Sequence, residues 1–134
     1  MQDIDMNTDF DCFARDLLNR LGTLVSTRDL AVLELFDDNA LLVGSEAGES
    51  ASGVTGLRDF FRHVFAWPFR VSWDWTSLRA TGQDDVCWFL AEGEVVAASD
   101  DAVQRAPYRL SGVMRRSDAG WRFAQFHGAE PVVK

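Results

Sequence analysis

Residues 108–131, YRLSGVMRRSDAGWRFAQFHGAEP, decide the fold class. Two runs alternate in character, Tyr108–Arg116 and Trp121–His127, around Ser117-Asp118-Ala119-Gly120. Alternation is the strand period, and the Ser/Asp/Gly cluster is turn chemistry, so the stretch predicts a β-hairpin. With Arg116 facing Trp121, Met114 pairs with Phe123, Gly112 with Gln125 and Leu110 with His127. Trp121, Phe123, Gln125 and His127 then share a face with Leu110, Gly112 and Met114. That face is mostly apolar with a polar end, as a pocket wall should be. Arg109, Ser111, Val113, Arg115, Arg122, Ala124 and Phe126 fall on the other face, which suits solvent or a dimer partner. A one-residue slip would exchange the two roles.

Two more strands precede the hairpin. Phe69–Ala80 alternates, with Val71, Trp73 and Trp75 on one side, and Gly82-Gln83-Asp84-Asp85 is a turn. Val86–Ala98 is a long apolar run, too β-branched and aromatic to prefer helix, and Asp100-Asp101 ends it.

Upstream the period changes. Phe10, Phe13, Ala14, Leu17, Leu18, Leu21 and Val25 recur at helical steps and make one apolar stripe. Ser26 or Thr27 caps a second helix carrying Leu30, Leu33 and Phe36, which Asp37-Asp38-Asn39 breaks. Ala40–Val43 reads as a short strand, and residues 44–50, GSEAGES, as a flexible loop. Thr55 and Gly56 open a third helix with Leu57, Phe60, Phe61, Val64 and Phe65 on one side, and Trp67-Pro68 ends it. Helices first and long antiparallel strands after predict an α+β fold, with the helices packed against one sheet face.

Bulk properties narrow the function. At 134 residues, with 47% hydrophobic and 25% charged residues, the chain is expected to be one domain, 1–134, needing no metal or disulfide staple. A net charge of −8 argues against nucleic acid, which calls for a basic field. Ten Phe and five Trp, but one Tyr, supply rings for a core or for a pocket. Cys12 and Cys87 lie far apart, with no metal-ligand or redox spacing. The N-terminal MQDIDMNTDF has no signal-peptide pattern and no apolar run reaches membrane length, so a cytoplasmic protein without membrane contact is expected. There is no nucleophile elbow, phosphate loop or dinucleotide fingerprint. No metal or cofactor is expected.

Three stretches carry a resemblance to a known family. They are Leu35-Phe36-Asp37-Asp38-Asn39-Ala40, Gly53–Phe61, and the hairpin with its His127-Gly128-Ala129-Glu130-Pro131 ending. Their order and spacing resemble the SnoaL-like (ketosteroid-isomerase-like) proteins of the NTF2-like superfamily, over about residues 10–131. Ala129 departs from the pattern, standing where Ser is common, so no hydroxyl role carries over. The resemblance implies three N-terminal helices packed in a curved antiparallel or mixed sheet that forms a cone with a pocket at its open end. It also implies homodimers paired through the outer sheet face. Isomerases, cyclases, dehydratases, accessory subunits and plain binding modules share that fold, so fold alone does not give function.

Candidate site residues follow from strand faces. In Val86–Ala98, Trp88, Leu90, Glu92 and Glu94 share one face. Turned into the cone, Glu92 would be desolvated and useful as a general base or acid; turned out, both glutamates are solvated. Ketosteroid isomerases, which the chain resembles, work on this principle, with a carboxylate shuttling a proton in an apolar cavity. His127 is the second candidate, as an acid-base group at the rim or as a structural tie. Tyr108, the only phenol, and Trp73 are candidate donors to ligand, and Trp88, Leu90, Gly112, Phe123 and Gln125 are candidate pocket walls. Asp38 suits a structural turn role, His63 the surface, and Arg109 an anion if the register slips. Two functions stay open. One is a pocket for a small hydrophobic molecule, with proton transfer by Glu92 or His127 as its chemistry. The other is a non-catalytic binding or dimerisation module, or an accessory subunit.

Overall fold

The structure, a computed structural model, describes residues 2–132. Helix α1 (Gln2–Ser26) comes first, then a 3-10 helix (Leu30–Leu35), β1 (Phe36–Val43), β2 (Ser50–Ser52), α2 (Gly53–Phe65), β3 (Arg70–Gln83), β4 (Val86–Ala98), β5 (Val103–Ser117) and β6 (Gly120–Ala129). The strands form one sheet in the order β2-β1-β6-β5-β4-β3, in which β1 and β6 are parallel and the other neighbours antiparallel.

The α1 stripe is buried as its spacing requires: Ala14, Leu17, Leu18, Leu21 and Val25 all enter the core. Each leucine buried there contributes roughly 1.5–3 kcal/mol relative to exposure. Asp11 on the same helix accepts a hydrogen bond from the Ala80 amide of β3 (2.9 Å), which fixes α1 across that strand.

Two expectations near α1 are corrected. The second helix is a single 3-10 segment capped by Asp29, whose Oδ1 accepts from Ala31 N (2.9 Å). Phe36, expected on that helix, instead opens β1, and Asp37-Asp38-Asn39 continue the strand rather than breaking the chain. They fit there because pairing with β6 jumps between Phe36 and Leu41, leaving the polar run outside the regular ladder. Asp37 is buried, with Oδ2 2.7 Å from Arg115 Nη2. The three helices do not all precede the sheet either. α2 follows β1 and β2, because residues 44–49 form the loop of a small hairpin.

The β5–β6 hairpin begins in the expected register. Arg116 pairs with Trp121 and Met114 with Phe123. A bulge then intervenes, and Val113 pairs with Gln125, Gly112 with Phe126, Ser111 with His127 and Leu110 with Gly128. The extra residue is Ala124, and it reverses every later side chain of β6. A second bulge, at Thr76, interrupts the β3–β4 ladder.

Candidate functional site

A cavity of about 1060 Å³ lies between α2, the inner face of β3–β5 and the 44–50 loop. That is ample for a drug-sized molecule. α2 contributes Phe60, Phe61 and Val64, because its apolar residues recur three and four apart and share a face. Pro68 stops the helix at the cavity mouth, and Trp67 and Phe69 turn inward with ring centroids 5.3 Å apart. Arg28 holds this segment, its Nη2 donating to the carbonyls of Trp67 (2.9 Å) and Phe69 (3.3 Å). Arg28 itself stands at φ 57°, a left-handed turn just past α1.

The inner wall is aromatic and polar together. Trp73 and Trp75 stack in parallel 6.2 Å apart, and Tyr108 leans on both. Tyr108 is 7% exposed. Burial first, and then the charges of Glu49 and Glu130, push its phenol pKa up to about 12 against weaker opposing pulls from Ser45 and Trp73. The phenol is therefore a neutral donor at any physiological pH. Trp73 Nε1 is buried without a well-aligned hydrogen-bond partner. Gly128 lies directly under the phenol: a Cβ there would overlap the Tyr108 hydroxyl.

The cavity lip is acidic. Glu46, Glu49, Asp59 and Glu130 all line it. Ser45 Oγ donates to Glu130 Oε2 (3.0 Å), and the Glu46 amide donates to Glu49 Oε1 (3.0 Å), so the loop holds two carboxylates in place. His63 also reaches the mouth, edge-on to Trp67 at 5.8 Å.

Of the residues singled out from sequence, Trp73 and Tyr108 line this cavity. Glu92 and His127 do not. Glu92 projects from the outer sheet face, with carboxylate oxygens 3.4 Å from Arg109 Nε and 3.8 Å from Arg79 Nη2. The inner positions of β4 belong to Cys87, Phe89 and Ala91, all buried, because the concave face that receives the helices takes the smaller set. Trp88, 49% exposed, and the half-buried Leu90 lie outside with Glu92. His127 and Gln125 are exposed on the same outer face, since the Ala124 bulge turned them over. Arg109 is outside with them, engaged by Glu92. Gly112 and Phe123 do face inward, but into the core: Phe123 packs on Phe36, Phe89 and Phe126. Asp38 is exposed in β1.

The acidic lip was not foreseen. Its one sequence signal was the GSEAGES stretch, which reads only as a flexible loop. Among the described residues, no three His, Cys, Asp or Glu side chains come together as metal ligands, and no helix is long and apolar enough to cross a membrane.

A family model described as a SnoaL-like domain matches residues 14–133. The chain belongs to the SnoaL-like family. Solved structures agree on the fold of this SnoaL-like chain. A provisionally named aromatic ring hydroxylase from Novosphingobium aromaticivorans DSM superposes with a TM-score of 0.81 at 23% identity, over 94% of this chain and 92% of the other. An NTF2-like protein with a cystatin-like fold from the same organism gives 0.75 at 19%, over 95% and 85%. A provisionally named dehydratase of the NTF2-like family from Streptomyces avermitilis gives 0.78 at 12%, over 94% and 98%. At such identities the likeness carries the fold, not the chemistry. No curated protein matches the chain.

Proposed function

We propose that this SnoaL-like chain, a single domain over 1–134, binds a small hydrophobic molecule in the cavity between α2 and β3–β5. The observation that carries the reading is a neutral, buried phenol beside a buried indole N–H on an aromatic wall. Such a wall takes a planar apolar body and hydrogen-bonds one acceptor oxygen. The chemistry this geometry supports is proton transfer without a cofactor, with Tyr108 donating to the bound oxygen and Glu49, the lining carboxylate whose charge acts most on that phenol, as base. Calorimetric titration with naphthylmethanol tests the reading. Tyr108→Phe should weaken binding about tenfold, the worth of one buried hydrogen bond, and His127→Ala should leave it unchanged. Equal affinity for Tyr108→Phe and the native chain would count against the reading.

A second proposal concerns the outer face, which the family resemblance implies as a dimer surface. Leu41 (53% exposed), Gln125, Val113 and Trp88 (49% exposed) form one row across β1, β6, β5 and β4. Val43, His127, Ser111 and Leu90 form the next. Apolar groups in contiguous rows on an exposed sheet support covering by a second copy. Light scattering should give a dimer, and Trp88→Glu a monomer; a monomeric native chain at high concentration would contradict it.

A further inference from the structure

We propose that the cavity selects a cationic ligand: a hydrophobic molecule bearing an ammonium or amidinium group. This rests on the small-molecule reading above and names its ligand class.

The charges on the lining are unequal. Four carboxylates (Glu46, Glu49, Asp59, Glu130) face one guanidinium, Arg105. Arg105 is already engaged, with Nη1 on Asp74 Oδ2 (2.6 Å) and on Glu94 Oε1 (3.4 Å). Asp74 and Glu94 are paired across β3 and β4 and belong to the outer side, so that charge is drawn away from the cavity. Among the described residues, none of the four lining carboxylates takes part in an ion pair. Among the described residues, the one other cation candidate on the lining is His63, at the exposed end of α2.

The walls match the charge. Phe60, Trp67, Phe69 and Trp73 border the same space as the carboxylates. Ring faces are electron-rich and attract cations, most strongly Trp, and the attraction grows when water is excluded. Aromatic faces together with fixed carboxylates recognise an organic cation and repel an anion. The Tyr108 phenol reports the same field from inside: Glu49 and Glu130 both disfavour negative charge on its oxygen. An acceptor oxygen bound there stays neutral, and the positive group lies toward the 44–50 loop.

The test uses three probes sharing one ring body: naphthylmethyl-trimethylammonium, naphthylmethanol and naphthylacetate. Calorimetry on the native chain should show the cation binding about tenfold tighter than the alcohol and the anion weakest, as a partly desolvated cation–π contact gives. The preference should shrink as salt is raised. The double variant Glu46→Gln/Glu130→Gln should lose most of it while still binding the alcohol; both side chains are exposed, so folding is not at stake. Equal affinity for cation and alcohol, or tighter binding of the anion, overturns the charge selection and leaves the small-molecule reading standing. Failure of all three probes to bind overturns both.

Discussion

Tyr108 is the only tyrosine, so phenolate absorbance follows its ionisation without a second signal. Burial and two nearby carboxylates lift its pKa from 10 to about 12. Two units correspond to about 2.7 kcal/mol of preference for the neutral phenol. The sign of the linkage is fixed. Below about pH 9 the phenol is neutral in both folded and unfolded chains, and pH has little leverage through it. Above that, the unfolded chain loses the proton first, so stability falls as pH rises toward the folded pKa. At about pH 11 the folded phenol should be roughly one-tenth ionised and the unfolded one roughly nine-tenths. Denaturant titrations should then show about 1.4 kcal/mol less stability at pH 11 than at pH 9 from this group, a loss that Tyr108→Phe abolishes. Glu49→Gln/Glu130→Gln should lower the absorbance midpoint only part of the way, because burial is the larger cause. A midpoint near 10 in the folded chain would refute the reasoning, since the phenol would then be in water and the cavity wall misassigned.

Gly112 sits where a Cβ would overlap the Gln125 backbone carbonyl oxygen beside the β6 bulge. Gly112→Ala should cost about 2–3 kcal/mol in denaturant unfolding, as forced backbone shifts do. Phe123 is fully buried among three other rings, and Phe123→Ala should cost about 3–5 kcal/mol by the same assay. The two cysteines should separate in thiol labelling at neutral pH. Cys12 is exposed and should react at once, whereas Cys87, buried with its thiol pushed up to about 11, should react only on unfolding.

Much of the fold was legible because the long elements obey their periods. The α1 stripe, the apolar side of α2 and the Val86–Ala98 strand all stand where their spacing puts them. Strand β5 begins earlier than expected, at Val103, because Gln104, Arg105 and Pro107 look like loop residues while lying on a solvated edge of the ladder. Asp37 to Asn39 looked like a break for a related reason: a polar run inside a strand is tolerated where pairing is irregular, and nothing local reveals that irregularity.

The site was legible only in part, and its misplacement has two physical causes. Alternation along β4 sorts Trp88, Leu90 and Glu92 from Phe89, Ala91 and Gly93, but it does not say which set faces in. Both facings stayed open in the sequence; the inward set is the one with Gly93, where a Cβ would overlap the Asp74 backbone. The second cause is Ala124. Its bulge leaves the turn-proximal pairs intact and flips Gln125 and His127 outward, and no residue type in the run marks it. Tyr108 and Trp73 escaped both effects, since Tyr108 alternates with the buried Leu110 and Met114 and Trp73 with Val71 and Trp75, with no bulge between them.

The central claim is that the ligand site is the cavity walled by Trp73 and Tyr108, with Glu92 and His127 outside it. A crystal structure of the chain soaked with naphthylmethanol tests that claim most directly. The account predicts density for the ring between α2 and the inner face of β3–β5, with its oxygen toward Tyr108. Density against Trp88 and His127 on the outer face, or a cavity filled by the chain's own Trp and Phe rings, would contradict it.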